Sequence, residues 1–134
     1  MSRSSSGRAL LLVDHGSRRP EANQVLEALA EGVRARRPGA WVATAHLELA
    51  QPLVPEAIDA LVASGAREIV LQPCFLAPGR HGGEDIARLA GEASARHPEV
   101  AFRAGAALGA HPGLVDALLE RADAARASDS DAAD

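Results

Sequence analysis

One short apolar run constrains this chain more than any other feature. Ala9–Val13 (Ala-Leu-Leu-Leu-Val) is hydrophobic at every position and stops at Asp14-His15-Gly16. A strand with one wet face alternates, whereas a strand covered on both faces does not, so the run reads as a buried strand of a parallel sheet. The chain then alternates. Pro20 opens a helix whose Val25, Leu26, Leu29 and Val33 share one face, and Arg36-Arg37-Pro38-Gly39 stops it. Ala40–Ala45 is a second strand. Pro52–Gly65 holds a second helix, with Ile58, Leu61 and Val62 inward. Arg67–Gln72 is a third strand ended by Pro73, and the Pro78–Gly83 segment is a loop. A third helix spans Glu84–Arg96, with Ile86, Leu89 and Ala93 on one face. Val100–Ala104 is a fourth strand interrupted by Arg103, and Leu114, Val115, Leu118 and Leu119 mark a fourth helix.

Strands alternating with helices of this length imply an α/β, three-layer fold. Right-handed crossovers favour a four-stranded parallel sheet in the order 2-1-3-4 with helices on both faces. Residues 8–126 form one domain. The Ser-, Asp- and Ala-rich stretches 1–7 and 127–134 are expected to be disordered.

Composition removes several functions. The 134 residues include 14 cationic ones, all Arg, so there is no P-loop lysine and no Schiff-base lysine. A net charge of −4 and only three aromatics, Trp41, Phe75 and Phe102, argue against a nucleic-acid surface. Cys74 is the single cysteine, which excludes an intrachain disulfide and a cysteine zinc cage. No apolar run has the length of a membrane span, and the polar Met1–Gly7 segment has no signal-peptide core. A cytoplasmic protein without membrane or nucleic-acid partners is expected.

In such a sheet, ligands bind beyond the carboxyl ends of the strands where strand order reverses, here between the first and third strands. His15 ends the first strand, Glu48 follows the second, and His81 lies in the loop after the third. Two imidazoles and a carboxylate on one rim suit a divalent metal. A lone loop histidine is ordinarily just a solvated side chain; two of them bracketing the switch point shift that balance to about even. Arg18, Arg19 and Arg80 flank these histidines in an acidic protein, and guanidinium grips carboxylate bidentately. His46 and His111 are weaker candidates for supporting roles, and His111 equally suits a position just before the fourth helix. Gly105 and Gly109 do not complete a dinucleotide-binding fingerprint, and no organic cofactor is expected.

Four segments taken together, Val13-Asp14-His15-Gly16-Ser17-Arg18, His46-Leu47-Glu48-Leu49-Ala50-Gln51-Pro52, Pro73-Cys74-Phe75-Leu76-Ala77-Pro78-Gly79-Arg80-His81 with Asp85-Ile86, and Leu108-Gly109-Ala110-His111-Pro112, resemble the short CbiX/SirB class II chelatases over roughly residues 8–126. The resemblance implies a chelatase-like half that inserts a divalent metal into sirohydrochlorin, within sirohaem- or cobalamin-type tetrapyrrole biosynthesis. It also implies a homodimer with the site at or near the interface. The family's metal-handling histidines map to His15 and His81, and its glutamate to Glu48. The Val-Asp-His-Gly-Ser-Arg-Arg opening favours Fe2+ as the metal substrate, with Co2+ next and Ni2+ after that. Arg18, Arg19 and Arg80, with Gly16 and Ser17, are then the expected substrate-binding residues. A non-catalytic metal or tetrapyrrole carrier of the same fold, a flavodoxin-like binding module and a heteromeric assembly remain open at this point.

Overall fold

The computed structural model describes residues 6–77 and 82–133, with residues 82–84 and 129–133 described as backbone only. The elements are β1 (Arg8–Asp14), α1 (Pro20–Arg36), β2 (Trp41–His46), α2 (Val54–Ala63), β3 (Glu68–Pro73), α3 (Gly82–Arg96), β4 (Ala101–Ala104) and α4 (Pro112–Ala133). The sheet runs β2-β1-β3-β4 with every pairing parallel, as the alternation implied. Element ends differ from the sequence expectation by one or two residues at most strands and helices.

β1 is the central strand, and its period-two alternation feeds two cores. Leu11 and Val13 join Ile69 and Leu71 of β3 against Ile58 and Leu61 of α2 and Ile86 and Ala93 of α3. On the opposite face Leu12 and Val42 pack on Leu26 and Ala30 of α1. That second core is small because, among the described residues, α1 packs mainly on β1 and β2. Its buried residues are Leu26 and Ala30, one turn apart, so Val25 and Leu29, expected inward, lie exposed on its flank instead.

Among the described residues no helix packs extensively on the sheet face beside α1 over β3 and β4. There Val70 and Gln72 are half-buried, and Arg103, in register with Val70, is exposed. Among the described residues α4 makes no extended packing contact with any other element. Its Val115, Leu118 and Leu119 are exposed. α4 also runs on to Ala133, through the 127–134 stretch expected to be disordered. No Gly or Pro follows Gly113 to stop it, and its alanines are strong helix formers. Among the described residues no helix is long and apolar enough to cross a membrane.

Candidate functional site

The carboxyl ends of β1 and β2 continue side by side past the last strand residues. Leu47 N–H donates to Asp14 O at 2.9 Å, and Glu48 N–H donates to His15 O at 3.1 Å. This two-rung extension places the backbones of His15 and Glu48 next to each other, although 33 positions separate them. Gly16 makes the approach feasible. Its φ is +89°, and a Cβ there would lie 1.8 Å from Glu48 O, inside the carbonyl's own space. Only glycine allows so close a contact.

His46 lies beneath this turn, not on the rim. It is 5% exposed, and its Nδ1 sits 2.5 Å from Asp14 Oδ1. The carboxylate satisfies a ring nitrogen that would otherwise be costly to bury. His46 and Asp14 therefore tie the strand ends that precede His15 and Glu48.

The next residues are pinned from α1. Ser17 N–H donates to Asn23 Oδ1 at 2.9 Å, and Asn23 Nδ2 donates back to Ser17 O at 2.8 Å. Ser17 Oγ accepts from Arg19 N–H at 3.0 Å, a local turn bond. The hydroxyl expected to meet substrate is thus engaged in shaping the turn. Arg18 and Arg19 are exposed, and neither forms an ion pair among the described residues. Their guanidinium groups are free for an anionic ligand.

Phe75, two residues beyond the end of β3, stacks on His15 with ring centroids 4.4 Å apart. The stack sits just past the paired ends of β1 and β3, where strand order reverses. Next to it Cys74 N–H donates to Val13 O at 2.7 Å. Burial pushes the Cys74 thiol up, and the nearby Asp14 carboxylate adds to that rise.

His111 follows the loop whose Leu108 and Gly109 N–H groups bond the Phe75 and Leu76 carbonyls. Its Nδ1 accepts the Gly113 N–H at 2.9 Å, so it caps the start of α4. His97 joins Arg96 in holding Asp59 of α2, at 2.8 and 2.9 Å. The His97 hydrogen bond, then that of Arg96, holds the Asp59 carboxyl below its usual range.

His81 and Arg80 lie outside the described residues. Among those described, no three His, Cys, Asp or Glu side chains gather as a metal cage. The described part of the site is therefore a half-built rim: one exposed imidazole beside one exposed carboxylate residue, with two free guanidinium groups after it. Sequence reading missed Asn23 and Phe75 as site residues. An asparagine in the first turn of the helix after a Gly-Ser turn, and a rare aromatic at a strand end, were the available signals.

Residues 9–125 match the family model described as CbiX. The chain is 37% identical over 112 residues to the chloroplastic sirohydrochlorin ferrochelatase of Arabidopsis thaliana, covering 84% of this chain and 50% of that protein. It is 37% identical over 83 residues to the sirohydrochlorin cobaltochelatase of Methanococcus maripaludis, covering 62% and 58%. The crystal structure of the sirohydrochlorin chelatase SirB from Bacillus subtilis subspecies spizizenii in complex with cobalt superposes with a TM-score of 0.78 at 30% identity, over 87% of this chain and 50% of that one. The chain spans about half the length of these relatives. With the family model matched over residues 9–125, this chain belongs to the CbiX family.

Proposed function

We propose that this chain inserts a divalent metal, Fe2+ or Co2+, into sirohydrochlorin. The observation that carries the reading is the clasp of His15 against Glu48 at the switch point, with Arg18 and Arg19 unpaired beside it. The names of the relatives support the substrate and both metals.

Insertion must strip water from the metal, bend the ring to expose its nitrogen lone pairs, and remove two N–H protons. Each turnover takes one M2+ and one ring and releases the metallated ring and two protons. A neutral imidazole ligates through a ring nitrogen and accepts a proton near neutrality. His15 and His81 hold the incoming metal and then take up pyrrole protons as it leaves for the ring. Glu48 adds a carboxylate to the metal's shell, offsetting charge as water is lost. Arg18, Arg19 and Arg80 hold the acidic side chains of the tetrapyrrole. Gly16 and Ser17 contribute a fixed turn, not a reacting group.

A second copy of the chain completes the assembly. Support comes from the half-covered sheet face and from the unpacked apolar stripe of α4, two surfaces that a parallel sheet ordinarily buries. The protein works in the cytoplasm as a homodimer, without nucleic-acid partners.

The test is spectral. Sirohydrochlorin is incubated with Fe2+, Co2+ or Ni2+, with and without protein, and its visible bands are followed. Many turnovers per chain above the protein-free rate support insertion. One metallated ring per chain, or none, contradicts it and leaves a carrier.

A further inference from the structure

We propose that Phe75 is the positioning residue for His15, holding the imidazole plane by stacking so that both ring nitrogens stay free for metal. The inference rests on His15 being a metal ligand, as proposed above. The two rings lie 4.4 Å apart at 25°. A stacked neighbour touches only the π face of an imidazole. The nitrogen lone pair and N–H lie in the ring plane, so the contact orients the ring without occupying a ligating atom.

The common way to orient a ligand histidine is a hydrogen bond to its second nitrogen. This chain uses such bonds at other histidines: His46 to Asp14, His97 to Asp59, and His111 from Gly113. Among the described residues no hydrogen bond reaches either ring nitrogen of His15. Rotation of an imidazole about its last side-chain bond is broad. The Phe75 ring is therefore what narrows it.

Phe75 is itself held firmly. Its carbonyl accepts Leu108 N–H at 3.1 Å, and the following Leu76 carbonyl accepts Gly109 N–H at 2.7 Å. The loop that supplies those donors is braced by Gln72, whose Nε2 donates to Ala106 O at 2.8 Å. Gly105 lets this brace close, since a Cβ there would sit 2.1 Å from Gln72 Oε1. The Phe75 ring belongs to the main core and also lines an apolar cavity of about 540 Å³ with Leu76, Ile86, Ala104 and Ala107. Order passes from the loop after β4 through Phe75 to His15.

The experiment uses the full chain as wild type, Phe75→Leu, Phe75→Tyr, His15→Ala and the Phe75→Leu/His15→Ala double variant. Co2+ is titrated into each without tetrapyrrole, and the His15 ring protons are read by NMR. Phe75→Leu keeps an apolar side chain but removes the ring current and the stack. It should move the His15 resonances downfield, weaken Co2+ binding roughly 3- to 10-fold, the worth of one aromatic pair, and lower kcat of insertion at unchanged sirohydrochlorin KM. Phe75→Tyr should restore Co2+ binding. In the His15→Ala background Phe75→Leu should have no further effect on Co2+ affinity. Wild-type Co2+ affinity in Phe75→Leu overturns the proposal. So does equal impairment by Phe75→Tyr, or additive losses in the double variant. A wild-type protein that binds Co2+ but inserts no metal refutes the proposed function alone, because the Co2+ titration decides the positioning role without it.

Discussion

Gly16→Ala probes the contact on which the site is built. The φ of +89° lies in the left-handed region, where a side chain costs about 1–2 kcal/mol. The larger cost is spatial. The new Cβ would meet Glu48 O at 1.8 Å and His46 Cβ at 3.1 Å, and the former gap must open to at least 3.0 Å. That movement separates the two strand extensions and strains the 3.1 Å bond from Glu48 N–H to His15 O, worth about 1 kcal/mol. The expected total is about 2–4 kcal/mol, or a fall in Tm of roughly 10 °C for a domain of this size. Gly39→Ala supplies the control, since Gly39 has a φ of +88° and nothing within 4 Å of an added Cβ. It carries the backbone cost without the collision. Urea unfolding followed through buried Trp41 gives both free energies. Gly16→Ala should exceed Gly39→Ala by at least about 1 kcal/mol and should also weaken Co2+ binding. Equal destabilisation of the two variants would refute the close-contact reasoning.

Three further outcomes follow from the same geometry. Asn23→Ala removes both hydrogen bonds to Ser17 and should cost about 1–2 kcal/mol in urea unfolding; a loss confined to a few tenths would show the clamp to be dispensable. Leu118→Glu should leave circular dichroism unchanged, since Leu118 is 63% exposed, yet shift sedimentation of the proposed dimer to monomer; a dimer persisting in the variant would exclude α4 from its interface. Asp59 titrates lower in the folded chain than unfolded, so its contribution is present above the unfolded carboxylate pKa and is lost as pH falls through the folded one. Because Asp59 is largely exposed the effect is under about 1 kcal/mol. The urea midpoint of Asp59→Asn should therefore fall less than that of wild type between about pH 5 and about pH 3, and parallel pH dependences would show that the cluster is thermodynamically silent.

How far the fold was legible follows from the physical range of each signal. The unbroken apolar run at β1 and the strand–helix alternation are local patterns, and together with crossover handedness they lead to the observed strand order. Helical faces were less legible. Leu26 and Ala30 are buried while Val25 and Leu29 are not, because which stripe is inward depends on how much sheet α1 covers. The Leu118 and Leu119 spacing announces a helix but says nothing of what the helix meets. At the site, His15 and Glu48 could be placed by topology, since both follow strand ends. The Asp14 bond to His46 and the Phe75 stack on His15 could not. Each joins residues tens of positions apart through side-chain geometry, which periodicity does not encode. Ser17 can do both: its residue type suits substrate, and its hydroxyl oxygen also accepts the Arg19 N–H within the turn.

The proposed metal insertion rests on His15 and His81. Both lie in sequence where the chain leaves the sheet edge, and His15 is exposed, so His15→Ala has little packing to lose. The decisive measurement is the rate of sirohydrochlorin metallation with Co2+ by wild type, His15→Ala and His81→Ala at matched Tm. Losses of about 100-fold or more in kcat are expected for each single variant, the scale of general acid–base and ligand roles combined, with the folded state intact. Wild-type rates in both variants would contradict the proposal.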